Sequence, residues 1–222
     1  MEEPKKIAVI GAGGIACMLL PTINLDYEIV LVDGDDFEPH NSKRQFPALQ
    51  STGNKAEVLA EMQKGRSQHP IHTIPAYFKG PSIVNRAEWR GVDMVIAAVD
   101  NNESRKLIIE FCDEEDIPAI LCGNESDVGE AHLFLPGEYD PSEHHDFGPM
   151  TPAPFSCTSD ENAESAPQTS GANFLAAAGA VHILMSWRGT DNPDNLIVHS
   201  MLDRRAQSQR TRLRDVRAQK SE

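Results

Sequence analysis

The sequence predicts an α/β fold: a doubly wound, mostly parallel sheet with helices on both faces. Short apolar runs alternate along the chain with segments of helical spacing. The apolar runs are continuous rather than alternating, which is typical of strands that are buried on both sides. A glycine-rich turn follows the first run directly, as in folds that open a helix after the first strand.

The predicted elements follow from the spacing of apolar residues. Continuous apolar or β-branched runs predict strands, and apolar positions three and four apart predict helices. In chain order we predict a strand at 5–10, a helix at 15–20 ending near Pro21, a strand at 27–32, a helix at 54–64, strands at 71–76 and 92–99, a helix at 103–116, strands at 117–122 and 129–135, a helix at 171–187 and a last strand at 196–199.

The chain of 222 residues suits one domain with an appendage. Residues 1–135 form the predicted core. Residues 136–169, rich in proline, serine and acids, form a mobile crossover loop. Residues 170–202 supply a helix and a strand that complete the same domain. Residues 203–222 form a basic tail, read either as a solvated terminal helix or as an arm for an acidic partner.

Composition excludes several classes of protein. The net charge of −14 argues against nucleic acid as the main partner. No apolar stretch is long enough for a membrane span, and the first apolar run is too short for a signal peptide, so we expect a cytoplasmic protein. The four cysteines form no CxxC pair, which argues against the usual zinc arrangement and a disulfide framework.

The turn after the first predicted strand has the pattern of a nucleotide-binding, Rossmann-like fold. Gly11 permits a tight turn, and Gly13 and Gly14 let backbone N–H groups approach phosphate oxygens at a helix N-terminus. Asp33 ends the second predicted strand, where an acid accepts hydrogen bonds from ribose hydroxyls. These features fit NAD as well as ATP, and by themselves they favour a dinucleotide enzyme.

Polar residues farther along change that interpretation. Asn41 and Arg44 lie three apart, Lys55 begins the next predicted helix, and Asp100 ends a strand shortly before Arg105. Ligands of doubly wound sheets bind beyond the carboxyl ends of the strands, so these side chains can converge on one crevice. The alternative is a set of separate surface charges.

Such a set suits attack on a triphosphate. Arg44 and Lys55 can hold phosphate oxygens, and Asp100 can hold a Mg²⁺ that bridges them. An attacking carboxylate is already ionised at pH 7, so the absence of an obvious general base is consistent with adenylation.

The combined pattern resembles the ThiF/MoeB/HesA family, whose fold is shared with the activating enzymes of ubiquitin and ubiquitin-like proteins. The matching motifs are GxGGxA at 11–16, DxD at 33–35, NxxRQ at 41–45, GNK at 53–55, and Asp100 with Arg105. The resemblance implies that Asp33 binds the ribose, that Asn41, Arg44 and Lys55 contact the phosphates, and that Asp100 positions Mg²⁺. The remaining residues predicted to bind ATP are Asp35, Gln45 and Arg105.

The resemblance covers residues 7–122 and implies a particular reaction. It implies ATP and Mg²⁺, release of pyrophosphate, and an acyl-adenylate on the C-terminus of a ubiquitin-like or sulfur-carrier protein, in a homodimeric enzyme. The N-terminal helix that sends an arginine into the partner subunit's site has no counterpart before the first strand, although Arg105 or a tail arginine could replace it. A nucleotide-binding scaffold without catalysis and an NAD(P)-dependent oxidoreductase stay open as alternatives.

Two further groups of residues have a functional and a structural interpretation. Cys157 lies in the predicted loop, where the family's thioester cysteine lies when present, but an incidental loop cysteine is an equal alternative. Cys17, Cys112 and Cys122 are predicted core residues. His144 and His145 are adjacent in the same loop and His132 lies nearby in the chain, but their spacing fits no familiar metal-ligand pattern, and a solvated loop is the favoured interpretation.

Overall fold

The computed structural model describes residues 5–43, 45, 52–80, 87–125, 127–143, 169–203 and 208–219. Its main feature is an eight-stranded sheet, and a two-stranded ribbon lies beside it. The strands are β1 (Lys6–Ile10), β2 (Glu28–Val32), β3 (Asp36–Phe37), β4 (Gly53–Asn54), β5 (Ile71–Ile74), β6 (Met94–Ala97), β7 (Ala119–Glu125), β8 (Val128–Phe134), β9 (Ile197–Asp203) and β10 (Ser208–Arg212). The helices are α1 (Gly14–Ile23), α2 (Lys55–Gln63), α3 (Asn102–Glu114), α4 (Ser170–Arg188) and α5 (Leu213–Gln219).

The order of strands in the sheet is β10-β9-β8-β7-β6-β1-β2-β5. From β5 to β7 every neighbouring pair is parallel, and from β7 to β10 every pair is antiparallel. The chain runs outward from β1 in one direction and then returns to add β6 on its other side. This reversal between β1 and β6 is a topological switch point, where open α/β sheets bind ligands. The predicted fold class is confirmed.

The parallel strands are buried on both faces. In β1, Ile7 and Val9 join one hydrophobic cluster, and Ala8 and Ile10 join the cluster on the opposite face. The first cluster includes residues of α1, α2 and α4, and the second includes α3. Alternate side chains of a strand point to opposite faces, so a continuous apolar run is what a two-sided core requires.

Side-chain caps begin three of the helices. Asn54 Oδ1 accepts the N–H groups of Ala56 and Glu57 at the start of α2. Asn101 Oδ1 accepts the N–H of Ser104 in α3, and Thr169 Oγ1 accepts the N–H of Ala172 in α4. Each cap satisfies a backbone donor that has no partner within its own helix.

The long helix α4 packs directly on the antiparallel strands. A Cβ atom at Gly129 of β8 would lie 2.1 Å from the backbone nitrogen of Ala176. A Cβ atom at Gly179 would lie 3.2 Å from the Cβ of Ala131. The two glycines therefore allow the helix and the sheet to approach closely, which a larger residue at position 129 would prevent.

Helix α1 and the tail differ from the sequence-based expectations, and the short strands β3 and β4 were not predicted. Helix α1 does not stop near Pro21 but continues to Ile23, because the last turn buries Ile23 in the core and this packing outweighs the proline's missing N–H. The predicted basic tail is partly built into the fold. Residues Ser208–Arg212 pair with β9, and α5 buries Leu213 and Val216.

The first part of the predicted loop, residues 136–143, forms a turn closed by a bridge between Leu135 and Tyr139 and then a short 3-10 turn. Residues 144–168, with His144, His145 and Cys157, lie outside the described residues. Within the described ranges, no helix combines the length and apolar character needed to cross a bilayer.

Candidate nucleotide-binding site

The glycine turn lies where β1 ends and α1 begins. Gly11 has a φ of +97°, and a Cβ atom there would lie 2.6 Å from the carbonyl oxygen of Ala98, so both conformation and space require glycine. Gly13 precedes the first residue of α1, and as a glycine it has no side chain that could cap the helix. The first N–H groups of α1 therefore face the crevice beside β1 as donors for an anion.

Asp33, at the end of β2, holds this turn in place. Its Oδ2 accepts the N–H of Ala12 at 2.6 Å, and its Oδ1 accepts the N–H of Asp35 at 2.8 Å. Burial raises the pKa of Asp33 above its usual value, and the two backbone hydrogen bonds offset only part of that increase. A carboxylate oxygen can accept a second hydrogen bond, so the same group remains able to bind hydroxyls.

Lys55 and Asp35 form an ion pair at the crevice. Lys55 Nζ lies 3.0 Å from Asp35 Oδ2, and the Tyr77 hydroxyl donates to Asp35 Oδ1 at 2.5 Å. Partial burial opposes ionisation of Asp35, but the hydrogen bonds from Tyr77 and Lys55 outweigh it and lower the pKa of the carboxyl. Asn54 supports the pair, since its amide donates to the carbonyl oxygens of Asp33 and Asp35.

The residues of the NxxRQ motif lie at the same crevice as far as the structure describes them. Asn41 and Gln45 are both buried and line the cavity. Asn41 Oδ1 accepts the N–H of Glu38, and the carbonyl oxygen of Asn41 accepts the N–H of Gln45. Arg44 lies outside the described residues, so its predicted contact with phosphate stays a prediction.

The end of β6 contributes a second set of polar groups. Asp100, Asn101 and Ser104 line the cavity. Arg105 is absent from the described lining residues. Its guanidinium donates to the carbonyl oxygens of Val99 and Cys122 and so links the ends of β6 and β7. Its predicted role in binding ATP stays a prediction.

Two asparagines in the crevice were not predicted from the sequence. Asn124 Nδ2, at the end of β7, donates to Asn173 Oδ1 in the first turn of α4 at 2.6 Å. Asn173 is buried against the glycine turn, where a Cβ atom at Gly14 would lie 2.0 Å from its Nδ2. Tyr77 was also missed. These residues are distant from the motifs in sequence, and no local pattern marks them.

These groups surround a cavity of about 560 Å³ at the carboxyl ends of β1, β2 and β6, a volume typical of small-ligand sites. The cavity is lined by Ile10, Gly11, Gly13, Gly14, Ile15, Val32, Asp33, Gly34, Asp35, Asp36, Glu38, Asn41, Gln45, Lys55, Tyr77, Phe78, Ala98, Val99, Asp100, Asn101, Ser104, Asn124 and Asn173. Among the described lining residues, five are acids and Lys55 is the one lysine or arginine. A polyphosphate would therefore need added cations here, and carboxylate oxygens are the ligands that Mg²⁺ prefers.

The described cysteines do not contribute to this site. Cys17, Cys112 and Cys122 are buried, and burial raises the pKa of each thiol to about 12. Their prediction as core residues is confirmed.

The match to a known family covers nearly the whole chain. The ThiF family matches residues 3–216. The chain belongs to the ThiF family. This confirms the resemblance seen in the motifs, and it extends that resemblance beyond residue 122 to the antiparallel strands.

Curated ThiF-type relatives match part of this chain at about 30% sequence identity. The tRNA threonylcarbamoyladenosine dehydratase of Haemophilus influenzae is 29% identical over 121 residues, which cover 53% of this chain and 46% of that protein. The SUMO-activating enzyme subunit 2 of Dictyostelium discoideum is 30% identical over 138 residues, covering 60% of this chain and 21% of that protein. The chain thus spans less than half the length of these relatives.

Solved structures share the fold. The crystal structure of Escherichia coli MccB with ATP has a TM-score of 0.66 and 19% sequence identity, covering 94% of this chain and 63% of that one. The structure of PaaA has a TM-score of 0.64 and 16% identity, again covering 94% of this chain and 64% of that one.

Proposed function

We propose that this ThiF-family chain uses ATP to adenylate the C-terminal carboxylate of a small protein or peptide. We further propose that a ubiquitin-like or sulfur-carrier protein is the natural substrate. The observation that carries the proposal is the cavity at the switch point between β1 and β6. Its lining brings together the glycine turn, an aspartate at the position expected to bind ribose, and several other acidic side chains.

The residues present fit an ATP molecule. The glycine turn lines the cavity, and the N-terminus of α1 offers backbone donors to phosphate. Asp33 lies within the same cavity with acceptor capacity for ribose hydroxyls. Lys55 supplies positive charge, and we expect Arg44 to add more.

The chemistry is displacement at the α-phosphorus of ATP. An oxygen of the substrate carboxylate forms a bond to that phosphorus, the bond to the oxygen that bridges to the β-phosphorus breaks, and pyrophosphate leaves. The carboxylate is ionised at neutral pH, so no residue has to remove a proton. The work of this chain is to place the two reactants and to offset charge.

Magnesium fits the same crevice. Asp100 lines the cavity among several other carboxylates and is the residue that we expect to hold the ion. When bound, Mg²⁺ supplies charge neutralisation to the phosphates.

The proposed substrate class is supported by what related proteins act on. Relatives include a SUMO-activating enzyme subunit and the human ubiquitin-like modifier-activating enzyme 7. A structural neighbour is described as the microcin C7 biosynthetic enzyme MccB in complex with N-formylated MccA. A polypeptide substrate for this chain is consistent with these relatives.

The first test is the thermal stability of the full chain with ATP and Mg²⁺, with NAD⁺, and without nucleotide. A ligand at about 100 times its dissociation constant stabilises the folded state by roughly 2.7 kcal/mol. We expect a shift with ATP and Mg²⁺. A shift with NAD⁺ alone would replace the proposal with an oxidoreductase.

A second test separates catalysis from binding. We expect pyrophosphate release when ATP and Mg²⁺ are mixed with a sulfur-carrier protein ending in Gly-Gly. The same carrier with a C-terminal amide is the matched control, because it lacks the attacking carboxylate. Binding of ATP with no pyrophosphate release from a panel of such carriers would favour the scaffold alternative.

Cys157 remains the predicted acceptor of the activated acyl group. Its thiolate would attack the acyl carbon, forming a C–S bond and releasing AMP. We expect a thiol-sensitive covalent adduct with the carrier. The same adduct in Cys157→Ser would rule out this role.

We also propose a homodimer. Phe174 and Met185 are 60% and 64% exposed on α4. They lie eleven residues apart, which places them on one face of a helix to within about 20°. We expect sedimentation equilibrium to give twice the chain mass, and Phe174→Asp to lower that value. A monomer at all concentrations would contradict the proposal.

A further inference from the structure

A carboxylate and two imidazoles meet on the sheet far from the ATP motifs in sequence. Glu130 and His132 are two residues apart on β8, so their side chains share one face. His199 of β9 lies directly opposite His132 in the antiparallel ladder. The pairing of β8 with β9 therefore brings together three metal-ligating side chains.

This cluster, Glu130–His132–His199, lies on the face of the sheet opposite α4. The neighbouring residue Gly129 faces α4, as its close approach to that helix shows. On β9, Ser200 faces α4 as well, because its hydroxyl is 3.2 Å from His182 Nδ1 of that helix. Glu130, His132 and His199 alternate with these residues along their strands, so their side chains point to the face opposite α4.

The distances within the cluster suit a shared ion. Glu130 Oε2 lies 3.3 Å from His132 Nε2 and 3.9 Å from His199 Nε2. One ligand atom from each residue lies within 4.8 Å of the others. Ligands about 2.1 Å from a tetrahedral ion are about 3.4 Å apart, so the first distance is close to this value and the second is wider.

The imidazole rings are ordered by packing. Their centroids are 4.4 Å apart and their planes differ by 6°. His132 and His199 are only 2% and 5% exposed, while the side chain of Glu130 is 39% exposed. The two nitrogen ligands are thus held inside the protein, and the carboxylate gives access from solvent.

The charges favour a cation. The Glu130 carboxylate lies within ion-pair distance of a ring nitrogen of each histidine, so an acidic oxygen is present beside both nitrogen ligands. The positive charge of Arg105 is close enough to repel a cation at the cluster. Its guanidinium, however, is held by hydrogen bonds to the carbonyl oxygens of Val99 and Cys122.

We propose that Glu130, His132 and His199 bind one divalent transition-metal ion, for which Zn²⁺ is the best-suited probe. Two imidazoles and a carboxylate suit Zn²⁺, whereas Mg²⁺ prefers oxygen ligands. The ion joins β8 to β9, and three protein ligands leave a fourth position for water. The site is separate from the proposed magnesium at Asp100 and does not depend on adenylation.

The test is a Zn²⁺ titration of the chelator-treated full chain by competition calorimetry. We expect one equivalent to bind, and binding to weaken at least about 100-fold in Glu130→Gln and His199→Gln, since even residues behind the ligands change affinity 10- to 100-fold. The control is His72→Gln, because His72 pairs with Glu28 at 3.1 Å but belongs to no three-ligand group among the described residues. This variant should bind Zn²⁺ as the unmodified chain does.

A second readout identifies the ligands. Co²⁺ in place of Zn²⁺ should give visible absorption without a thiolate-to-metal charge-transfer band, and Glu130→Gln should abolish it while keeping the far-UV circular dichroism of the folded chain. Three results would overturn the site: no Zn²⁺ binding, unchanged binding in both ligand variants, or a thiolate band that places the ion on a cysteine.

Discussion

The parallel and antiparallel halves of the sheet carry their polar groups in different places. In the parallel half, β5 to β7, the polar residues of the cavity follow the strands, as Asp33 follows β2 and Asp100 follows β6. In the antiparallel half, β7 to β10, Glu130, His132 and His199 lie within the strands, on a face. The first arrangement depends on where strands end, whereas the second depends on which residues of two strands are paired.

This difference determines how each half responds to substitution. The cavity is open space lined by polar side chains, so we expect removal of an exposed lining side chain to weaken ligand binding more than folding. The antiparallel half is closely packed against α4, and its register must be maintained for its three ligating side chains to meet. Substitutions at the cavity should leave the stability and the proposed metal site of the antiparallel half intact. Substitutions at the metal site should leave nucleotide binding in the cavity intact.

The largest expected effect is on the packing of the antiparallel half. In Gly129→Ala, the new methyl group would lie 2.1 Å from the backbone nitrogen of Ala176, which cannot move without shifting α4. We expect the free energy of unfolding in urea to fall by about 3 kcal/mol, as for severe overpacking. Gly171→Ala is the control, because its nearest contact is 3.6 Å away in an exposed helical turn. Equal stability of the two variants would contradict the close packing described here.

The next effect is confined to the crevice. Asp100→Ala should lose the stabilisation by ATP and Mg²⁺ of roughly 2.7 kcal/mol, because the charge of the triphosphate goes uncompensated. Asp113→Ala removes an exposed acid of the following helix, α3, and should keep the shift in a thermal melt. Glu130→Gln, in the other half, should keep it too. A normal shift in Asp100→Ala would end the assignment of Asp100 as the magnesium ligand.

Arg44→Ala tests the predicted phosphate contact. Loss of a charge-stabilising donor lowers turnover by roughly 10²-fold. We expect this decrease in the rate of pyrophosphate release, with the fold unchanged by circular dichroism. Turnover equal to that of the unmodified chain would remove Arg44 from the proposed site.

The smallest effect concerns Tyr77 and Asp35 at the edge of the crevice. Tyr77→Phe removes a hydrogen bond to a carboxylate that is 47% exposed, so the loss of stability at pH 7 should be below about 1 kcal/mol. Because that bond lowers the pKa of Asp35, its contribution is complete above the unfolded value of about 3.9 and is lost as the pH falls through the folded value. The urea stabilities of the two proteins should therefore converge on acidification. A constant difference down to pH 3 would show that another contact of Tyr77 is responsible.

Sequence patterns were most informative for site residues that lie in or beside a recognisable motif. The glycine turn, Asp33, Lys55 and Asp100 were predicted from their positions at the ends of apolar runs, and the structure places all of them around one cavity. The patterns missed Tyr77, Asn124 and Asn173, because each reaches the cavity from an element whose own sequence carries no mark of a ligand site. They also missed β10, whose polar residues Ser208–Arg212 have no apolar alternation and depend on pairing with β9.

The sequence by itself determined the order of the main strands and helices from β1 to β8 and the two-sided core, and it carried the prediction of a nucleotide at the switch point. Those properties depend on periodicity and on residues adjacent in the chain. Only the tertiary structure decided that Asp33 closes the glycine turn, that Arg105 links two strand ends, and that His132 meets His199. These contacts join residues far apart in the chain, and strand pairing selects them because a shift of one residue would turn His199 to the opposite face.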